Sequence, residues 1–396
     1  MKNSSDHICP SCLSNDMSVF HQMQNVPVHS VLNIPTREEA LTFPRGNISL
    51  GFCKHCGFIS NVDFNPELLK YSSDCEETQG YSPTFNAFAK EIATDLVEKY
   101  DLYNKDIIEI GCGKGEFLTM LCESGKNRGV GFDPAYVEGR DRVPTAGQIK
   151  FIKDYYSEKY ENCQGDLICC RMTLEHIKDT GNLVGIVRRS IGERTDTIVF
   201  FQVPDMTRIL RDCAIEDIYY EHCSYFSPGS LSRLFRQSGF DVLDLKTGYE
   251  GQYIMIEAKP TSGDVIISLP LEDDLKMLQD LVKNFPISSQ TKVASWNKRL
   301  REFKKKHHKV VLWGSGSKGV SFLTTLGISD QIEYVVDINP YRQGNYMAAT
   351  GQLIVAPDFL KEYQPDAVII MNAIYKDEIS QDLQKMGLTP EILTLE

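Results

Sequence analysis

The stretch Ile107-Ile108-Glu109-Ile110-Gly111-Cys112-Gly113-Lys114-Gly115-Glu116-Phe117-Leu118 decides the fold. A short β-branched run ends in glycines at alternate positions and passes into helix formers, the pattern of a strand turning into the helix that covers it. Glycine is needed there because the backbone must approach a ligand with no Cβ in the way. A second strand-like run, Gly129–Phe132, leads to Asp133, whose carboxylate would lie at the strand's carboxyl end and accept hydrogen bonds from ribose hydroxyls. The spacing G-x-G-x-G lacks the wider step with which G-x-G-x-x-G seats a pyrophosphate on a helix N-terminus. A cofactor without phosphate fits it better.

Outward from this turn, strand-like and helix-like segments alternate. A helix over Thr84–Tyr100 leads in, and strands are expected at Ile149–Ile152, Leu167–Cys170, Thr197–Gln202, Val242–Leu245 and Tyr253–Ala258. This alternation predicts an α/β fold with a largely parallel sheet. Pro260 and Gly263 precede a long helix over Leu271–Phe285, read as a connection. A new α/β pattern then runs through Val310–Trp313, Ile332–Val336, Leu353–Val355 and Ala367–Met371. Its turn, Trp313-Gly314-Ser315-Gly316-Ser317-Lys318-Gly319, is a G-x-G-x-x-G followed by Asp337, which in isolation suggests NAD. The expected organisation is a zinc-ribbon-like module over 1–65, a Rossmann-like cofactor domain over 66–260, a helical linker over 261–305 and a second Rossmann-like domain over 306–396.

The N-terminal module rests on Cys9-Pro10-Ser11-Cys12 and Cys53-Lys54-His55-Cys56, two C-x-x-C pairs whose tight turns point thiolates at one tetrahedral ion. Four protein ligands leave no open position, so a structural Zn2+ is the expectation; buried or redox-active thiols are the alternative. The chain carries twelve cysteines, and nothing at Met1–His7 resembles a signal peptide, so disulfides are not expected and the cytoplasm is the expected compartment. A net charge of −12 argues against nucleic acid as a partner, and no apolar run approaches a membrane span.

After the fifth strand comes Asp217-Ile218-Tyr219-Tyr220-Glu221-His222-Cys223-Ser224-Tyr225, on a loop at the sheet edge where open α/β folds bind substrates. A tyrosine, a glutamate and a histidine so close together can supply a donor, an orienting carboxylate and a base, or can form a helix-capping patch with a buried histidine.

Glu109 to Gly115, Asp133 and Leu174-Glu175-His176-Ile177 resemble, in order, the motifs of class I S-adenosylmethionine-dependent methyltransferases. The cysteine pairs, the Tyr-x-Glu-His loop and the second Rossmann-like domain together resemble the zinc-containing sugar C-methyltransferases over nearly the whole chain. Thr350-Gly351-Gln352 departs from the Gly-Thr-His segment those enzymes tend to carry. The resemblance implies S-adenosylmethionine held by Glu109, Gly111, Gly113, Gly115 and Asp133, with Asp154 near adenine. It implies His222 as a base, Glu221 as its partner and Tyr219 as a donor to the sugar, with Tyr81, Tyr225 and Lys318 toward the substrate. His176 is read as structural. The implied reaction is methylation of a carbon beside a ketone in a nucleotide-linked deoxysugar, by a monomer or homodimer. O- or N-methylation of another small metabolite, an NAD-dependent oxidoreductase built on Asp337, and a non-catalytic binding protein remain the alternatives.

Overall fold

A run such as Leu167-Ile168-Cys169-Cys170, apolar without alternation, must be covered on both faces, and it is buried at the centre of a seven-stranded sheet. The computed structural model describes residues 7–69, 71–140, 148–261, 263, 267–328 and 330–395, so Met1 to Asp6 of the start read above lie outside the described residues. The N-terminal part contributes β1 (Met17–Pro27), α1 (Arg37–Leu41), β2 (Arg45–Cys53) and β3 (Ile59–Asn61). Next come α2 (Pro83–Lys99), β4 (Asp106–Ile110), α3 (Glu116–Gly125), β5 (Arg128–Phe132), β6 (Ile149–Ile152), β7 (Leu167–Arg171), α4 (Thr180–Ile191) and β8 (Ile198–Pro204). They are followed by α5 (Met206–Arg211), β9 (Ser224–Tyr225), α6 (Pro228–Gln237), β10 (Phe240–Gly248) and β11 (Tyr253–Pro260). The C-terminal part is α7 (Leu275–Lys305), β12 (Val310–Trp313), α8 (Ser317–Leu326), β13 (Tyr334–Val336), β14 (Leu353–Val355), α9 (Leu360–Tyr363), β15 (Ala367–Ile370), α10 (Lys376–Lys385) and β16 (Glu391–Thr394).

The large sheet has the order β10-β11-β8-β7-β4-β5-β6, with β8 through β6 parallel and β11 antiparallel to both of its neighbours. The C-terminal sheet, β14-β13-β12-β15-β16, is parallel throughout. In each sheet the strand order reverses beside the strand that carries the glycine turn, between β4 and β7 and between β12 and β15. Such switch points leave a crevice at the carboxyl ends of the strands.

The N-terminal segment, expected to be a zinc-ribbon-like module, carries a sheet that packs into the rest of the molecule. β1, β2 and β3 form an antiparallel sheet that β9 of the distant loop completes. Three strands of this size bury too little alone. Their apolar face, with Val26, Ile48, Leu50 and Phe52, shares a core with Ile209 and Leu210 of α5 and with Leu278 and Phe285 of α7. The helix α7 is twice as long as expected, running 31 residues through Pro286. It continues past the proline because Trp296, Leu300 and Phe303 extend its apolar stripe into the C-terminal core. No helix among the described residues is long and apolar enough to cross a membrane.

Candidate active site

At the first glycine turn all three glycines have left-handed backbones, with φ of +69° at Gly111, +55° at Gly113 and +86° at Gly115. A Cβ on Gly111 would fall 1.9 Å from Thr173 Oγ1, and one on Gly115 2.4 Å from the Phe151 ring. Asp133, just past β5, accepts the Gly113 amide at 2.9 Å and the Ala135 amide at 2.7 Å, which fixes the turn and leaves carboxylate lone pairs over. Burial pushes this carboxyl above its ordinary range. These groups fit a ribose-bearing cofactor lying against bare backbone. Glu109 is placed differently from a ligand contact. It is buried beneath the turn, its Oε2 accepts the Leu118 amide at 3.0 Å, and burial pushes its carboxyl up to about 8. It thereby caps α3, whose own N-cap Gly115 has no side chain to do so. Asp154 is held by Lys159 at 2.9 Å and Tyr160 at 2.7 Å, which keep its carboxyl down at about 2.

Residues 75–84 cross from the N-terminal part to α2 as a strap over the turn. Lys114, 1% exposed at its side chain, donates to the Cys75 and Ala135 carbonyls at 3.0 and 3.2 Å and pairs with Glu77 at 3.1 Å. On the other side Tyr375 donates to Gln79 at 2.9 Å, and Ser82 and Thr84 donate to Glu378 of α10 at 2.8 and 2.7 Å. The strap therefore ties the cofactor turn to the C-terminal domain. A cavity of about 260 Å³ lies beneath it, lined by Glu77, Tyr81 and Met172 on one side and Gly314, Lys318 and Asn339 on the other. The second glycine turn repeats the first: the Ser315 amide donates to Asp337 at 2.9 Å, and a Cβ on Gly319 would fall 2.4 Å from the Gly314 carbonyl. Lys318 is paired with Asp217, which also binds Arg208 at 2.6 Å.

Tyr219 lines the same cavity, and the His222 ring packs behind it at a tilt of 44° with centroids 4.1 Å apart. The strand β9, pinned to β3, holds this loop in place. Burial, together with neighbouring His176 and Lys318, keeps the imidazole well below its ordinary pKa and therefore neutral. Its Nδ1 is buried without a hydrogen-bond partner, and its Nε2 lies 3.9 Å from Glu175. The implied pairing of Glu221 with His222 is corrected by the structure. Glu221 turns the other way and accepts the Ser30 amide at 2.7 Å and hydroxyl at 2.8 Å, with His29 at 3.4 Å. Tyr225 is buried, with its ring 6.1 Å from His222.

The four module cysteines converge. Cys9 lies 3.6 Å from Cys56 and Cys12 3.6 Å from Cys53, with all four sulfurs within 4.8 Å of one another. Tetrahedral Zn–S bonds of about 2.3 Å put sulfurs roughly 3.8 Å apart, so the donor set fits that ion. None of the twelve cysteines forms a disulfide.

Comparison with known proteins agrees with this geometry. Residues 85–245 match the family model of a methyltransferase domain, and residues 256–389 that of a C-methyltransferase C-terminal domain. This chain belongs to the S-adenosylmethionine-dependent methyltransferases. It is 24% identical over 300 residues to the C-methyltransferase NovU of Streptomyces niveus, covering 72% of this chain and 70% of that one. It is 22% identical over 210 residues to the ubiquinone biosynthesis O-methyltransferase of Neisseria meningitidis, covering 47% of this chain and 85% of that one. Among solved structures, the 1,6-didemethyltoxoflavin-N1-methyltransferase of Burkholderia thailandensis aligns over 44% of this chain and 79% of its own, with 17% identity and a TM-score of 0.35.

Within the methyltransferase, the sequence-expected Gly111, Gly113, Gly115 and Asp133 come together at one turn, and Tyr81, Tyr219 and Lys318 at one cavity. Glu109, Asp154 and Glu221 are each committed to protein partners. Two neighbours of His222 were given no part in its setting by the sequence reading. Glu175 is its nearest carboxylate, and burial pushes that carboxyl up to about 8. His176, read as structural, packs edge-on to His222 at 4.8 Å. Its Nδ1 lies 3.0 Å from the Glu221 carbonyl, which can only accept, and 2.9 Å from the Tyr71 hydroxyl. An acid and an imidazole inside the apolar run Leu174 to Ile177 were the available signal, since buried polar groups need partners.

Proposed function

We propose that this methyltransferase methylates a carbon beside a ketone in a nucleotide-activated deoxysugar, with His222 as the base. The observation that carries the reading is the cavity that the second glycine turn shares with Glu77, Met172 and Tyr219, with His222 packed behind Tyr219. One turn suits the cofactor. The other, with Lys318 and Asn339, suits a nucleotide-linked substrate, as in the sugar C-methyltransferases the sequence resembles. S-adenosylmethionine, when bound, supplies an electrophilic methyl group. His222, neutral at pH 7, takes the proton from the carbon at its unpartnered Nδ1, and the C–H electron pair passes into an enolate. Tyr219 donates to the enolate oxygen. The enolate carbon forms the new C–C bond as the S–CH3 bond breaks, and the imidazolium later returns its proton to solvent. Glu175, whose carboxyl lies 3.9 Å from the His222 Nε2, would orient the ring. The Cys9, Cys12, Cys53 and Cys56 cluster would hold a structural zinc that braces the sheet carrying β9.

The test is incubation with S-adenosylmethionine and nucleotide keto-deoxysugars in deuterium oxide, followed by mass and NMR analysis. The reading expects a methyl group on carbon, exchange of the neighbouring C–H, and loss of at least about a hundredfold in rate for His222→Ala with cofactor affinity kept. Methyl transfer to oxygen without C–H exchange, or a His222→Ala variant of undiminished rate, would overturn it.

A further inference from the structure

Among the described residues, one cluster of potential metal ligands stands apart from the four cysteines. Glu175, His176 and His222 each offer one ligand atom within 4.8 Å of the other two. Glu175 Oε1 faces the His222 Nε2 at 3.9 Å, too far for a hydrogen bond, and Glu175 Oε2 is buried without a partner. Both side chains are more than nine-tenths buried. Polar atoms so placed are costly unless something between them supplies the missing contact.

His176 is set for such a contact. The Glu221 carbonyl, 3.0 Å from its Nδ1, can only accept, so Nδ1 carries the hydrogen and Nε2 the lone pair. The Tyr71 oxygen, 2.9 Å from the same Nδ1, then accepts as well. One ring nitrogen tied to a carbonyl while the other stays bare is the arrangement that metal-bound histidines take. The two segments carrying the three side chains are also fastened together. The Cys223 amide donates to the Glu175 carbonyl at 3.0 Å and Ser224 Oγ to the Ile177 carbonyl at 2.6 Å, while β9 is held to β3. The donors are thus gathered before an ion arrives, which lowers the cost of closing on it. Tetrahedral bonds of about 2.0–2.1 Å to nitrogen and oxygen put donors roughly 3.4 Å apart. Atoms at most 4.8 Å apart would draw in by at most about 1.4 Å. Two imidazoles and one carboxylate suit Zn2+ and its neighbours, whereas Mg2+ and Ca2+ take oxygen. The fourth position is left to water.

We propose that Glu175, His176 and His222 form a second metal site, for Zn2+ or a divalent ion of the same ligand preference, and that its occupation switches the base off. With the ion on Nε2, the neutral His222 ring keeps its hydrogen on Nδ1, the nitrogen that must accept the proton from carbon. The site rests on the geometry alone, and its inhibitory effect rests on the reading of His222 as the base.

The test takes the full-length protein after one equivalent of Zn2+ has filled the four cysteines, and titrates it with Co2+ by absorption and with further Zn2+ by calorimetry. Zinc holds a thiolate site against cobalt, so added cobalt reports the second site. One further ion per chain is expected, with cobalt d–d bands and no sulfur-to-cobalt charge transfer. Glu175→Gln and His176→Asn should each bind it at least about tenfold more weakly, with S-adenosylmethionine affinity kept as the sign of an intact fold. If neither variant folds, anomalous scattering from cobalt-soaked crystals of the native chain locates the ion. The methylation rate should fall by half at the ion concentration that half-fills the site. Binding is read without a methyl acceptor, so a wrong substrate leaves that result intact. No uptake beyond the first zinc, a thiolate charge-transfer band, or undiminished binding by both variants, as at a surface histidine, would overturn the site. A filled site with undiminished methylation would overturn the switch.

Discussion

Replacing Gly111 with alanine asks whether the first glycine turn is built as described. The new Cβ would lie 1.9 Å from Thr173 Oγ1 and 2.7 Å from both Thr173 Cβ and Cγ2, contacts that cannot exist without movement. The left-handed backbone, at φ of +69°, costs an L side chain about 1–2 kcal/mol. Relieving the overlap costs a further ~1–3 kcal/mol, since Thr173 is anchored by its hydroxyl to the Arg171 carbonyl. A total of about 2–5 kcal/mol is expected from urea unfolding, with a matching loss of S-adenosylmethionine affinity on titration. Thr173→Ala in the same chain removes Oγ1 and Cγ2 but not the backbone strain, so it should recover about 1–2 kcal/mol. Gly181→Ala is the control, because nothing lies within 4 Å of its Cβ and it sits in α4, where alanine is better by up to about 1 kcal/mol. A Gly111→Ala variant as stable as the native chain, or one that Thr173→Ala does not rescue, would refute the packing argument.

Two further outcomes concern the metal and the buried acid. Protein purified without chelator should carry about one zinc per chain, and stripping it should lower stability by on the order of several kcal/mol. Elemental analysis finding no metal in a fully stable preparation would remove zinc from the description. For Glu175, the folded carboxyl at about 8 stands above the unfolded value of about 4.5. The stability it contributes is therefore fully present below pH 4.5 and is lost as pH rises to 8. Glu175→Gln mimics the protonated form and should gain on the native protein over that window, by a few kcal/mol at pH 8.5 and by nothing near pH 4.5. A difference that stays flat in urea unfolding from pH 4.5 to 8.5 would show that Glu175 is not held as described.

What was legible in the sequence was mostly local. Gly111, Gly113 and Gly115 announce a turn because their spacing leaves no other backbone, and Asp133 follows a strand short enough to place it. The cysteine pairs converge because each knuckle is set by four residues, whatever lies between. The partner of Glu221 was not legible, since Ser30 is 191 residues away and its hydroxyl carries no pattern. Adjacent residues 221 and 222 point apart, and sequence proximity suggested the opposite. The length of α7 was hidden by Pro286, which usually ends a helix. The strand β16 was missed because Glu391 to Thr394 is a short run at the chain's end, paired only through β15.

The stripe along α7 meets the N-terminal and methyltransferase parts through Leu278, Val282 and Phe285, and the C-terminal domain through Trp296, Leu300 and Phe303. The helix thus behaves as a ruler with a phase. One residue inserted between the two groups would advance the distal end by about 1.5 Å and turn it through roughly 100°. That rotation would swing the second glycine turn away from the first. Seven inserted residues would restore the phase to within about 20° but move the distal end by about 10 Å, so they too should open the cavity, whose width is in this sense written in a residue count rather than in the residues that line it.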